Sequence, residues 1–322
     1  MNMPAGTGIG HDSTTFAEDV RRGLALDPAR LDPKYFYDAL GSALFDAICQ
    51  LPWYPITRAE TVMLRAHATE IVRAAGDAVH VVELGCGSGE KLLALLESCR
   101  DQVASVHLVD ISGAALDATR RRLALAGFDR ATSHRGPFEE ALETIGLRPG
   151  GAAPLLVLFL GSNIGNLAPE EARGFLATIG AALRAGDRLL LGVDLVKPRE
   201  VLVRAYDDPL GVTAAFNLNL LHRLNRDLGA NFDLAGFRHR AVWNEAASRV
   251  EMHLVSQRAQ QVEIRQLDVS RWFQPGQYIW TESSYKYQPE GVRDLLAEAG
   301  FRADDQWIDH QARFSLTMAA RT

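Results

Sequence analysis

A strand-like run and a glycine loop follow each other in His80-Val81-Val82-Glu83-Leu84-Gly85-Cys86-Gly87-Ser88-Gly89. The first half is a short apolar run, which is typical of a buried β-strand. The alternate glycines let the backbone turn tightly and approach a ligand with no Cβ in the way. A helical pattern resumes over residues 90–96. The stretch therefore predicts a strand, a loop and a helix whose N-terminus offers unpaired N–H groups.

Further strand-like runs alternate with helical patterns after this motif. They lie at residues 105–111, 131–136, 154–161 and 187–196. This alternation predicts a parallel sheet covered by helices on both faces. Near the C-terminus, a helical pattern closed by Gly300 precedes two runs at 301–310 and 312–319. We expect these two runs to pair antiparallel, so the predicted fold class is α/β with a mostly parallel sheet.

The alternation stops between residues 197 and 287. Helical patterns are followed there by strand-like runs at 239–244, 249–256, 261–267 and 278–287. Residues 14–51 also have a helical pattern, a loop rich in proline and aromatic residues follows at 51–55, and another helical pattern covers residues 58–75. The predicted domains are a core of residues 58–196 plus 288–322, a discontinuous α+β domain of residues 14–57 plus 197–287, and a flexible tail of residues 1–13.

Composition excludes several classes of function. The chain has 322 residues and a net charge of −6, which argues against a broad basic surface for nucleic acid. It has no apolar run long enough to span a membrane, and its three cysteines form no CxxC pair. The histidines show no spacing of a zinc site. We expect a cytoplasmic protein with no metal and with neither nucleic acid nor a membrane as partner.

An acidic residue completes the glycine motif. Asp110 lies 25 residues after Gly85, where the second strand is predicted to end. A carboxylate at that position can accept hydrogen bonds from both hydroxyls of a ribose. The Gly-x-Gly-x-Gly spacing differs from the GxGxxG of dinucleotide sites. It resembles the first motif of class I methyltransferases, which use S-adenosylmethionine on a Rossmann-like sheet. In that case Glu83 would orient the loop or contact the methionine part of the ligand.

Further motifs narrow the resemblance. Together they resemble the histidine-specific Nα-methyltransferases of ergothioneine biosynthesis, from about residue 15 to the C-terminus. The stretches that carry this resemblance are Lys34-Tyr35-Phe36-Tyr37-Asp38, Gly41-Ser42, Leu44-Phe45, Thr57-Arg58-Ala59-Glu60, Phe159-Leu160-Gly161-Ser162-Asn163-Ile164-Gly165-Asn166, Asp194-Leu195-Val196-Lys197, Ala205-Tyr206-Asp207-Asp208-Pro209, Thr213, Phe216-Asn217, Glu251-Met252, Thr281-Glu282 and Ser284.

The resemblance implies a reaction and a set of site residues. A monomer would methylate the α-amine of histidine three times to give hercynine, by in-line displacement, and no side chain is identified as the proton acceptor. Asn166 and Tyr206 would hold the substrate carboxylate, Glu282 and Ser284 would bind the imidazole, and Tyr54 would line the pocket. The implied cofactor-binding residues are Tyr37, Gly85, Gly87, Lys91, Asp110 and Phe138.

The chain departs from the family pattern at three places. Pro137-Phe138 stands where the family has an adenine-contacting Asp-Phe, and proline offers neither an N–H nor a carboxylate. Trp53 stands where an acid is usual, and Pro55-Ile56 replaces a Tyr-Pro pair. Asn163 stands where threonine is common. We expect altered adenine recognition and a differently shaped loop near the amino acid.

Three alternatives remain open at this point. The same chemistry could act on tryptophan or another aromatic amino acid, although Ser284 favours histidine. A non-catalytic S-adenosylmethionine-binding protein would be marked by loss of the substrate-binding residues, which are present here. An RNA methyltransferase would need a basic face with stacking aromatic residues, and the net charge of −6 argues against it.

Overall fold

The computed structural model describes residues 10–146 and 153–322. Its helices are α1 (Gly10–Leu24), α2 (Ala39–Gln50), α3 (Ile56–Ala75), α4 (Glu90–Leu96), α5 (Gly113–Leu125), α6 (Phe138–Gly146), α7 (Pro169–Ala182), α8 (Arg199–Tyr206), α9 (Val212–Leu228) and α10 (Pro289–Glu298). Its strands are β1 (Ala29–Arg30), β2 (Val79–Leu84), β3 (Val103–Asp110), β4 (Ala131–Arg135), β5 (Leu155–Phe159), β6 (Arg188–Asp194), β7 (Phe237–Asn244), β8 (Arg249–Ser256), β9 (Gln260–Ile264), β10 (Val269–Phe273), β11 (Tyr278–Tyr285), β12 (Phe301–Asp309) and β13 (Phe314–Arg321).

A seven-stranded sheet confirms the predicted α/β class. Its strand order is β12-β13-β6-β5-β2-β3-β4, and the five strands from β6 to β4 run parallel. Strand β13 pairs antiparallel with both β6 and β12, as the C-terminal pattern predicts. Every residue of β5 is buried. Burial of both faces of a central strand is what helices packed on both sides of a parallel sheet require.

One face of this sheet carries a contiguous apolar core. Side chains of β2, β5 and β6 pack there against α6, α7 and α10, and Phe301 closes the cluster. Helix α3 contacts β5, β6 and β13. The carboxyl ends of the parallel strands form one edge of the sheet, where ligands bind in open α/β folds.

Contacts within the chain divide it into two compact units. The first unit comprises the described part of Met1–Ile48 together with Leu202–Asn244 and Val250–Ser283, and the second comprises Cys49–Val201, Glu245–Arg249 and Ser284–Thr322. The second unit holds the seven-stranded sheet. Tyr54 and Ser284, which the predicted bounds assign to the other domain, belong to this second unit. The assignment of one domain to the cofactor and the other to the substrate remains a prediction.

The first unit is built around smaller sheets. Strands β1, β11, β8 and β7 form one sheet in that order, and β9 and β10 form an antiparallel pair. Strands β1 and β10 are absent from the sequence-based expectation, because β1 has only two residues and the five residues of β10, Val269–Phe273, do not alternate between apolar and polar. The predicted strand 261–267 ends at Ile264, where a 3₁₀ turn begins.

The N-terminal expectation needs one correction. Residues 1–9 of the predicted tail lie outside the described residues, but residues 10–13 belong to α1. Backbone hydrogen bonding continues this helix beyond the apolar periodicity from which its start was predicted. In the described part of the chain, no helix combines the length and the apolar character needed to cross a membrane.

Candidate active site

The glycine loop after β2 has the backbone geometry that its sequence predicts. Gly85, Gly87 and Gly89 have φ angles of 78°, 50° and 71°, in the left-handed region that favours glycine. A Cβ on Gly89 would lie 2.5 Å from Thr119 Cγ2, whereas a Cβ on Gly87 would meet nothing within 4 Å. Thr119 Oγ1 on α5 donates to the Gly87 carbonyl at 2.9 Å. The loop is held from one side and open at Gly87, where a ligand can approach the backbone.

Asp110 ends β3 and is bonded to this loop. One carboxylate oxygen accepts from the Ser112 amide at 2.8 Å, and the other accepts from the Gly87 amide at 3.3 Å. Burial raises the pKa of Asp110, while these amides favour its charged form. A carboxylate oxygen has further lone pairs beyond one amide contact. Asp110 can therefore shape the loop and still accept ribose hydroxyls.

Replacing Asp110 with alanine should weaken S-adenosylmethionine binding. Loss of a charged acceptor for two hydroxyls costs on the order of 1.5–3 kcal/mol, about 10- to 150-fold in Kd. Asp101→Ala, an exposed acid at the opposite end of β3, is the matched control and should leave Kd unchanged. Titration calorimetry measures both values. An unchanged affinity in Asp110→Ala would remove this residue from the site.

Glu83 is the next-to-last residue of β2 and immediately precedes the segment that leads into the glycine loop. Its side chain is 1% exposed, and Oε2 is buried with no hydrogen-bond partner among the described residues. Burial raises its pKa to about 8, opposed by the Lys91 ammonium and assisted by the charges of Glu60 and Asp110. An orphaned buried oxygen is unfavourable, and a ligand ammonium would satisfy it. The α-ammonium of the methionine part of S-adenosylmethionine fits this position.

Lys91 forms an ion pair with Glu60, the acid in the stretch Thr57-Arg58-Ala59-Glu60. Glu60 on α3 is fully buried, and its Oε2 lies 3.0 Å from Lys91 Nζ. The Gly161 amide donates to both Glu60 oxygens, at 2.9 and 2.8 Å. A Cβ on Gly192 would lie 2.0 Å from Glu60 Oε1, so only glycine fits there. Glu60 thus links the ends of three elements next to the glycine loop.

Phe138 begins α6 beside the loop. Its ring packs 6.0 Å from Phe159 and 5.7 Å from Phe175, between ring centroids. The ring edge lies 3.7 Å from where a Cβ of Gly85 would stand, and Asn163 Nδ2 lies 3.2 Å from the same point. The predicted adenine-packing residue is therefore adjacent to the loop, and so is Asn163 at the family's threonine position.

Tyr37, the remaining predicted cofactor residue, belongs to the first unit. It follows the 3₁₀ turn Pro33–Phe36. Its ring meets Phe45 and Phe216 edge-on, with centroids 5.6 and 5.9 Å away. These contacts hold an aromatic cluster in that unit, and a role for Tyr37 toward the cofactor remains a prediction.

Asn166 and Ser284 occupy neighbouring segments of the second unit. Asn166 is half-buried and ends a 3₁₀ turn that follows β5 at the carboxyl edge. A Cβ on Gly165 in this turn would lie 2.8 Å from the carbonyl oxygen of Tyr285. The close approach packs the turn against the chain next to Ser284. Two of the predicted substrate-binding residues are therefore brought to the same edge of the sheet.

Tyr54 lies in an ordered loop of the second unit. It is 7% exposed, and its amide donates to the Leu51 carbonyl at 3.1 Å. Arg58 braces the loop by donating to the carbonyls of Leu51 and Pro52 at 2.7 and 3.0 Å. The departure from the family pattern at Trp53 therefore lies in a loop with defined backbone contacts.

Tyr206 is the last residue of α8 in the first unit, and its backbone carbonyl is hydrogen-bonded to a buried histidine. Its carbonyl accepts from His239 Nε2 at 2.7 Å, and Asn217 Nδ2 lies 2.9 Å from His239 Nδ1. This network assigns the proton of the neutral ring to Nε2. Burial lowers the pKa of His239, which keeps the ring neutral. His239 was missed by sequence reasoning because nothing in its local pattern reveals this contact.

Glu282 lies on β11, two residues before Ser284. Its side chain is half-buried, and its carbonyl accepts from Trp280 Nε1 at 2.9 Å. Alternate residues of a strand share a face, as the sequence analysis assumed for this pair. The role of Glu282 toward a substrate ring remains a prediction.

The fold and the loop define the class of the protein. A mostly parallel sheet with this strand order, left-handed glycines after β2, an acid at the end of β3 and a buried acid with one unsatisfied oxygen before the loop are the attributes of an α/β methyltransferase that uses S-adenosylmethionine. The profile of the family described as "Histidine-specific methyltransferase, SAM-dependent" matches residues 16–321. The chain belongs to that family.

Curated relatives extend this result over the full chain. A histidine N-alpha-methyltransferase of Mycolicibacterium smegmatis is 44% identical over 312 residues, 94% of each chain. The protein of the same description from Mycobacterium tuberculosis is 42% identical over 327 residues, all of both chains. Ergothioneine biosynthesis protein 1 of Schizosaccharomyces pombe is 27% identical over 90% of this chain but only 39% of its own length.

Proposed function

We propose that the protein transfers methyl groups from S-adenosylmethionine to the α-amino group of L-histidine, three times in succession, and so makes hercynine for ergothioneine biosynthesis. The match to the histidine-specific family over residues 16–321 carries this proposal. The loop, Asp110 at the end of β3 and the unsatisfied Oε2 of Glu83 support the cofactor. The relatives described as histidine N-alpha-methyltransferases support the substrate.

The proposed cofactor residues each contact a different part of S-adenosylmethionine. S-adenosylmethionine supplies a methyl group made electrophilic by its sulfonium. We assign Asp110 to the ribose hydroxyls, Phe138 to the adenine face and Glu83 to the methionine ammonium. Lys91, oriented by Glu60, would attract the methionine carboxylate. Gly85 and Gly87 let the backbone approach the ligand, and Tyr37 is proposed to close over it.

The proposed substrate residues bind histidine at its two ends. The Asn166 amide and the Tyr206 hydroxyl donate to the α-carboxylate. Glu282 accepts from a ring N–H, and Ser284 contacts the other ring nitrogen. Tyr54 lines the pocket. In this arrangement the amine is fixed by groups on both sides of it, which is the alignment that in-line transfer needs.

Transfer is direct from donor to amine. A neutral amine and a sulfonium become an ammonium and a thioether, so charge moves and no oxyanion site is needed. Holding the reactants in line can supply about 7–11 kcal/mol. Cys86, inside the loop, is no nucleophile, because burial strongly raises the pKa of its thiol. The amine must lose its proton before each transfer, and no side chain is assigned as the acceptor.

An amino-acid panel tests this function. Purified protein is given methyl-labelled S-adenosylmethionine and each aromatic amino acid, and products are identified by mass spectrometry. We expect mono-, di- and trimethylated histidine with time. A faster reaction on tryptophan would favour the alternative substrate, and binding of S-adenosylmethionine with no product would favour a non-catalytic protein. A monomeric state and a cytoplasmic location remain predictions, the former open to light scattering.

Restoring the family's acid at Pro137 should tighten cofactor binding. Pro137 precedes α6, and Asp there would offer the adenine amino group a charged acceptor. The expected gain is about 1.5–3 kcal/mol, the range for hydrogen bonds to charged groups. Pro137→Ser is the control, since serine caps the helix equally well but carries no charge. Equal or weaker affinity in Pro137→Asp would mean that another group already satisfies the adenine amine.

A further inference from the structure

We propose that Lys286 is a positioning residue that sets the hydrogen-bonding direction of Ser284, so that the site selects a neutral imidazole. The inference rests on the proposed function, because it assigns Ser284 to a ring nitrogen of histidine. Lys286 belongs to no motif quoted above. It directly follows the last residue of β11 and lies two residues after Ser284.

Lys286 is in direct contact with the Ser284 hydroxyl. The distance from Lys286 Nζ to Ser284 Oγ is 2.9 Å, and both residues are buried, at 3% and 4% exposure. An ammonium has donors only, whereas a hydroxyl has one donor and two acceptor positions. Ser284 must therefore accept from Lys286 and direct its hydrogen elsewhere. A bare nitrogen of the substrate ring is an acceptor for that hydrogen.

The Lys286 ammonium belongs to a buried ion cluster. Asp194, at the end of β6, accepts from Lys286 Nζ at 2.9 Å and from Lys197 Nζ at 2.6 Å. Lys197 also donates to the Ala312 carbonyl at 2.7 Å. A protonated ring next to Ser284 would lie close to the Lys286 ammonium, and two like charges at close range are unfavourable where screening is weak.

The cluster is also rigidly placed at the carboxyl edge of the sheet. The Asp194 amide donates to Ser162 Oγ at 3.0 Å, and the Tyr287 amide donates to the Asp194 carbonyl at 3.2 Å. Asp194 therefore contacts both the Lys286 side chain and the backbone of the next residue, Tyr287. The position of the Ser284 hydroxyl is thereby connected to β6. The site then binds a ring that presents an N–H to Glu282 and a lone pair to Ser284.

A double-mutant cycle with a matched control tests the role of Lys286. The variants are Lys286→Met, Ser284→Ala, the double variant, and Lys197→Met as control. Either lysine substitution leaves Asp194 with one ammonium partner, so the charge left in the cluster is the same. Only Lys286→Met removes the contact to Ser284. Steady-state kinetics give kcat and KM for histidine, calorimetry gives the S-adenosylmethionine affinity, and thermal unfolding reports the fold.

The expected result is a loss confined to histidine recognition. Lys286→Met should lower kcat/KM for histidine about tenfold, mainly through KM, with S-adenosylmethionine affinity unchanged. In the Ser284→Ala background the same substitution should change kcat/KM less than about twofold, because the two residues act together. Lys286→Gln, which restores a donor without charge, should recover part of the loss and also serves if Lys286→Met unfolds.

Two other outcomes would overturn the inference and are distinguishable. A wild type that methylates histidine while Lys286→Met and Lys197→Met lose equal activity would show a structural role only. Full additivity of Lys286→Met and Ser284→Ala would separate the lysine from the hydroxyl. A wild type that methylates no histidine would instead overturn the proposed function, and the inference with it.

Discussion

Wild-type protein should methylate histidine and reject phenylalanine by a factor of about 10⁴–10⁵. A site built to hydrogen-bond a ring N–H discriminates this strongly, because a ligand that lacks the donor cannot make that hydrogen bond. Glu282 is the proposed acceptor and is half-buried on β11. Glu282→Ala should therefore lower kcat/KM for histidine far more than it lowers affinity for S-adenosylmethionine. It should also shift preference toward larger aromatic amino acids, since a charge is removed and space is opened.

Steady-state kinetics with histidine, tryptophan and phenylalanine test this expectation. The matched control is Glu263→Ala, which removes an exposed acid from β9 in the same unit. Glu263→Ala should behave as wild type with every substrate. Equal activity of the wild type on phenylalanine and histidine would contradict the assignment. So would a Glu282→Ala variant whose kinetics match the control.

The parts of the site that sequence predicts well are local in the chain. The glycine loop and Asp110 could be placed because strand, turn and following helix have periods that show within a few residues. The parallel sheet and its antiparallel C-terminal pair followed from the same reasoning. Strand β1 was not predicted because it has only two residues, and β10 was not predicted because its five residues do not alternate between apolar and polar.

The supporting contacts of the site could not be predicted, because they join distant residues. Glu60 meets the amide of Gly161, 101 positions later, and Lys197 meets the carbonyl of Ala312, 115 positions later. No pattern of spacing encodes such a pair without the fold. Glu60, Gly161 and Lys197 all belong to the family motifs, but only the structure shows which groups they contact. Lys286 had no motif and emerged from its contact with Ser284 alone.

The contribution of Glu83 to the stability of the ligand-free protein should fall as the pH rises toward 8. Its pKa is about 8 when folded, against an ordinary value of 4.5, because burial disfavours the charge. Between those pH values the folded state holds a proton that the unfolded state has lost. The contribution of Glu83 to the free energy of unfolding is therefore fully present below pH 4.5 and is lost as the pH rises to about 8. The slope reaches about 1.4 kcal/mol per pH unit. Glu83→Gln removes a titrating group and should lack this loss.

Comparison with Glu83→Gln between pH 6.5 and 8 isolates this effect from the histidines. Burial lowers the pKa of His107 and of His253 to about 4, so most of their contribution changes below pH 6.5, and the remainder is the same in both proteins. Across the window, denaturant unfolding should show wild type losing about 2 kcal/mol relative to Glu83→Gln. The exposed Glu97→Gln is the control and should follow wild type. Parallel wild-type and Glu83→Gln profiles would mean that Glu83 is already ionised.

Binding of S-adenosylmethionine should then expel the proton from Glu83. A methionine ammonium beside Oε2 favours the carboxylate and lowers its pKa, as a nearby opposite charge does. Calorimetry at pH 7 in two buffers of different ionisation enthalpy should give release of close to one proton for the wild type. Glu83→Gln should release none and bind the cofactor more weakly. The same proton count in both proteins would place the ammonium elsewhere, and the orphaned oxygen below the glycine loop would then need another partner.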